Sequence, residues 1–111
     1  ICGTRGWIHP AWNGFTQSDR KYFLREAGRL EMSLKTAQSD NKYVFTHYPP
    51  MSSAGEGNEF TEVMKAYGVK KCYYGHLHSF SHSNRIPQIV DGIEYNLISA
   101  DYLRFVPKLV R

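Results

Sequence analysis

The clearest pattern along the chain is an apolar stripe of helical period. Phe23, Ala27, Leu30, Leu34 and Ala37 recur at that spacing, while Lys21, Arg25, Arg29 and Lys35 fall on the other face. Thr16 or Ser18 can cap such a helix. Asp19 lies in its first turn, where a negative charge meets unpaired backbone N–H groups. A shorter stripe holds Phe60, Val63, Met64 and Tyr67, with Asn58 as the cap and Gly68 as the C-terminal stop. Elsewhere the apolar residues come in short continuous runs. Tyr43-Val44-Phe45 and Cys72-Tyr73-Tyr74 have the pattern of strands buried on both faces. Ile1-Cys2-Gly3 reads as the tail of a further strand. Apolar stretches at 88–90 and 93–98 flank Asp91-Gly92, a strong short-range hairpin signal. The predicted order is strand, helix, strand, helix, strand, hairpin, an α/β alternation followed by antiparallel strands.

The polar segments refine this reading. Gly3 and Gly6 bracket Thr4-Arg5, so the backbone turns or passes close to a neighbour there. Residues 8–15 hold Pro10, Asn13 and Gly14 and read as a loop. Pro49-Pro50 stops the second strand, and 51–58 is a Gly-rich polar loop. At 41% hydrophobic and 22% charged residues, the 111-residue chain is not a disordered one. No apolar run approaches bilayer length, so no membrane partner is expected. The formal charge of +4 is compatible with phosphate-bearing partners. The basic residues form no stripe and the aromatics mostly follow core periodicity, which argues against a nucleic-acid partner. Cys2 and Cys72 are too few to staple a small secreted fold. Buried, reduced thiols and a cytoplasmic setting are the expectation.

Candidate chemistry sits at the strand ends. His47 follows Tyr43-Val44-Phe45, and His76 and His78 follow Cys72-Tyr73-Tyr74 behind Gly75. Ligands of open α/β sheets bind in the crevice at the carboxyl ends of the strands, and two adjacent strands would bring these imidazoles together there. Imidazole is the commonest nitrogen ligand of divalent metals. His9 and His82 lack such a setting and read as loop residues. Arg5, after the first strand and between two glycines, is a candidate for binding a substrate phosphate, since guanidinium matches phosphate geometry.

Gly75-His76-Leu77-His78 after one strand, and His47-Tyr48-Pro49-Pro50 after another, resemble the last two metal motifs of the calcineurin-like metallophosphoesterases. Gly3-Thr4-Arg5-Gly6-Trp7, Arg29-Leu30-Glu31-Met32-Ser33-Leu34 and Ser99-Ala100-Asp101-Tyr102 look like one bacterial branch of that superfamily, described as phosphohydrolases. The resemblance covers nearly the whole chain. It implies a four-layer α/β/β/α sandwich and a centre with two divalent metal ions (manganese, iron or zinc). In that centre His47 and His76 would ligate one ion and His78 the other, and the substrate would be a phosphomonoester or phosphodiester.

The family's earlier motifs, Asp-x-His, Gly-Asp-x-x-Asp and Gly-Asn-His, have no counterpart: the sequence contains no Asp-x-His and no Gly-Asp. Gly57-Asn58-Glu59 lacks the His and is better read as a loop and a helix cap. By the resemblance, then, residues 1–111 form the C-terminal portion of a single metallophosphoesterase domain. Such a portion supplies histidines, needs an N-terminal half as its partner, and is inactive alone. The competing reading is a noncatalytic module that binds nucleic acid or phosphate ligands.

Overall fold

A computed structural model describes residues 1–77, 82 and 84–110. Its elements are β1 (Cys2–Thr4), α1 (Gln17–Lys35), β2 (Lys42–Thr46), α2 (Glu59–Ala66), β3 (Val69–Tyr74), β4 (Ile89–Val90) and β5 (Ile93–Leu97). They follow the predicted order. The sheet runs β1-β2-β3-β5-β4, parallel throughout except for the β4–β5 hairpin at one edge. Asp91 and Gly92 both take positive φ, 51° and 80°, as a two-residue turn of the right twist requires.

Of the two candidate caps, Thr16 is the one used. Its hydroxyl accepts from the Asp19 N–H at 3.1 Å, and the Asp19 carboxylate accepts from the Thr16 N–H at 2.9 Å. Asn58 caps α2 in the same way through Phe60 and Thr61. From α1, Phe23, Ala27, Leu30 and Leu34 are buried; Ala37 lies beyond the helix end and is half-buried.

In-register rows show how the sheet is used. Cys2, Val44, Cys72 and Tyr95 are neighbours across β1, β2, β3 and β5, and all four enter one core with Phe23, Leu30, Leu34, Phe60 and Met64 of the helices. Both helices therefore cover the same face. The next row, Gly3, Phe45, Tyr73 and Asn96, belongs to the opposite face. There the Phe45 and Tyr73 rings stack at 4.9 Å and Tyr43 meets Tyr73 edge-on. Tyr43 and Phe45 remain half-exposed. The expectation that β2 is buried on both faces thus holds for one face among the described residues; the other is an aromatic ladder.

Gly3 is required by this packing, because a Cβ there would stand 2.5 Å from the Phe45 carbonyl oxygen. Gly6 has φ of +75° and abuts Tyr48. Cys2 and Cys72 are buried free thiols, and burial pushes the Cys72 thiol up to about 12. Among the described residues no helix is long and apolar enough to cross a membrane.

Candidate metal and phosphate site

The parallel register aligns the ends of four strands. Thr4, Thr46, Tyr74 and Leu97 are successive partners, so Arg5, His47, Gly75 and Ile98 all emerge at one edge of the sheet, the carboxyl edge. Backbone hydrogen bonds fix these exits to one another. The Arg5 carbonyl accepts from the N–H groups of His47 and Tyr48, and the His47 carbonyl accepts from the Gly75 N–H at 3.1 Å. The Thr46 hydroxyl donates to the Tyr48 carbonyl at 2.8 Å and tightens the turn.

His47 and His76 come together here. His47 Nε2 lies 3.2 Å from His76 Nδ1, with the rings 80° apart. His76 takes a φ of 70°, costly for a residue with a Cβ, and this aims its ring at His47. A Cβ on Gly75 would make only ordinary contacts, 3.7 Å from the His47 carbonyl and 4.0 Å from both His47 Nδ1 and Ser99 Oγ. The local demand is therefore for the conformation at His76 more than for bare backbone at Gly75. His78, the third expected ligand, lies outside the described residues.

The spacing of the pair is that of a hydrogen bond between the two imidazoles, and it is also compatible with joint ligation of a divalent cation. Two imidazole nitrogens on one tetrahedral ion, each about 2.0–2.1 Å from it, stand roughly 3.3 Å apart. The 3.2 Å separation matches that span. Ser99 adds a second sign. Its hydroxyl is buried beside Gly75, and among the described residues it has no hydrogen-bond partner. Among the described residues no three His, Cys, Asp or Glu side chains cluster as a complete metal cage.

Arg5 is exposed, with its guanidinium 4.9 Å from the Trp7 ring centre and 5.8 Å from that of Tyr48. Trp7 is itself anchored: its indole N–H donates to Asp19 Oδ1 at 3.0 Å. That bond and those from Thr16 hold the Asp19 carboxyl below the usual carboxylate range. Tyr48 in turn lies 4.8 Å from the His47 ring and 4.6 Å from the His76 ring. Arg5, Tyr48 and the two histidines therefore form one contiguous group.

Trp12, Tyr48 and Ser99 are the neighbours that sequence reasoning missed as site residues. Trp12 stacks on His76 at 5.8 Å with the planes 18° apart. It lies in an irregular loop, where no periodicity marks a residue. His9, read as a loop residue, is buried. Its Nδ1 accepts from the Ala11 N–H at 3.0 Å, and its Nε2 faces Asn58 Nδ2. Burial holds its pKa below 6.5, against the opposing pull of Glu56 and Glu59. His82 Nε2 lies 3.2 Å from Asp101 Oδ1.

No protein-family model, curated protein or solved structure matches the chain.

Proposed function

We propose that the chain supplies the histidine side of a metal-dependent phosphoesterase centre that hydrolyses phosphomonoesters or phosphodiesters. The observation that carries this is the His47–His76 pair, two imidazole nitrogens 3.2 Å apart at the carboxyl edge of a largely parallel sheet. The motif order along the chain supports it independently. His47 and His76 would hold one divalent ion (manganese, iron or zinc), with His78 as the expected ligand of a second. Bound there, such ions would polarise a phosphoryl oxygen and lower the pKa of water to make a nucleophile.

The chain's own residues do the rest of the work assigned to it. Arg5 presents a fork of N–H donors suited to two oxygens of a phosphate. The Trp7 and Tyr48 rings limit where that fork can stand, which reduces the ordering needed on binding. The buried Ser99 hydroxyl beside Gly75, without a partner among the described residues, is a donor open to an oxygen ligand. Carboxylate ligands would come from residues outside these 111. The aromatic ladder on the second sheet face suits a second sheet packed against it, as the four-layer arrangement requires.

The test is hydrolysis of aryl phosphate mono- and diesters by the full-length native polypeptide with added manganese. Activity should vanish with a chelator. His76→Ala should lower kcat/KM at least about 100-fold, the upper end of what loss of a merely supporting residue costs a metal site. Metal-independent hydrolysis, or none at all, rejects the proposal.

A further inference from the structure

A cleft of about 510 Å³ opens directly beside the histidine pair. Trp12, Asn13, Ser52, Ser53, His76 and Asn84 line it, together with Ala11 and Leu77. Its volume falls within the range of small-molecule sites, roughly 300–1,000 Å³.

The chemistry of the lining narrows the occupant. Among the described residues that line it none is Asp, Glu, Lys or Arg, which suits an uncharged group. One wall is an indole, already held nearly parallel to the His76 ring. The remaining polar groups are two hydroxyls and two carboxamides. Each carboxamide offers both donors and an acceptor, and each hydroxyl can do either. This combination matches a planar, uncharged ring system that bears its own donors and acceptors. A plain hydrocarbon ring would use the indole alone, and a sugar would lay only its C–H face on it. A nucleoside uses both.

The placement gives the cleft a role. The ring centres of Tyr48 and Trp12 lie 4.6 and 5.8 Å from that of His76. Arg5 rests on Tyr48, while the cleft is bounded by Trp12. A phosphate at the histidine pair would therefore have the cleft beside it, sharing His76, and Arg5 one ring away through Tyr48. The geometry points to this cleft as the subsite for the nucleoside portion of a phosphate ester. The inference rests on the phosphoesterase reading for its role, but the binding it claims can be measured without any phosphate.

The experiment uses adenosine as the probe and the full-length protein free of added metal. Intrinsic tryptophan fluorescence should show saturable quenching. Base stacking contributes about 1–3 kcal/mol per aromatic partner, so Trp12→Ala should weaken adenosine binding roughly tenfold or more, and Trp12→Phe should restore most of it. Isothermal titration supplies the readout where the tryptophan is removed. Ser53→Tyr, at an exposed loop position, should fill the cleft and abolish binding without disturbing the fold. In hydrolysis, the ratio of kcat/KM for adenosine monophosphate to that for glycerol phosphate should fall about tenfold in Trp12→Ala. Absence of adenosine binding, or binding indifferent to both Trp12→Ala and Ser53→Tyr, overturns the inference. The two readings fail separately. Aryl phosphate hydrolysis with no adenosine binding removes the subsite and leaves the phosphoesterase. Adenosine binding with no metal-dependent hydrolysis upholds the cleft as a nucleoside site and removes the phosphoesterase.

Discussion

Arg5 and His9 show how differently two polar residues of neighbouring loops are used. Arg5 stands in solvent against two rings, so its charge is available to a ligand. Arg5→Ala should weaken phosphate-analogue binding by about 1.5–3 kcal/mol, the worth of a hydrogen bond to a charged group, with the melting temperature little changed. Calorimetric titration with vanadate or phosphate checks this, and an unchanged affinity removes Arg5 from the site. His9 is instead a structural residue. Its folded pKa lies below the ordinary 6.5, with burial as the largest cause. The unfolded chain therefore takes up a proton near pH 6.5 that the folded chain refuses, because burial disfavours the charged ring. Stability should be highest above that pH and fall as the pH drops through it. Urea unfolding at pH 7.5 and 5.5 should show the loss, and His9→Gln should reduce it; equal losses in both proteins would contradict the assignment. The sequence placed His9 in a loop correctly but carried no sign of its burial. That burial depends on Asn58 and Phe23, which are remote in the chain.

At the scale of elements, the legible features were those with a local cause. The α1 stripe, the Asn58 and Gly68 boundaries of α2 and the Asp91-Gly92 turn each follow from periodicity, capping or positive φ within a few residues. Thr16→Ala should cost about 1 kcal/mol of stability, since both halves of the capping box are formed, whereas Ser18→Ala should cost little. Leu30→Ala, at a fully buried position, should cost about 2–5 kcal/mol. Denaturant midpoints of the three variants rank these directly. Gly3→Ala tests strand packing in place of helix packing. The added Cβ must push against the β2 backbone, so a loss of about 1–3 kcal/mol is expected. A neutral Gly3→Ala would mean that β1 sits less tightly on β2 than the register implies. What the sequence did not reveal at this scale was the aromatic ladder. Tyr43, Phe45 and Tyr73 sit in continuous apolar runs, and such a run does not say which face meets a helix.

For the molecule as a whole, the site follows from topology. Parallel pairing of β1, β2, β3 and β5 makes four chain exits neighbours, and the residues just beyond them are Arg5, His47, Gly75 and Ile98. The histidine motifs were legible because each directly follows an apolar run that must be a strand. Their approach to 3.2 Å was not, because it depends on the left-handed backbone of His76 and on the Gly75-to-His47 hydrogen bond. Trp12 was hidden for a similar reason, since its loop reaches His76 only in three dimensions. The central claim is that His47 and His76 bind one divalent ion together. Pulsed electron paramagnetic resonance of Mn(II) bound to the full-length protein tests it most directly, because imidazole nitrogens modulate the manganese signal. The account predicts nitrogen coupling that is reduced in His47→Ala and in His76→Ala. Manganese binding with no imidazole coupling, or with coupling that neither substitution alters, would contradict it.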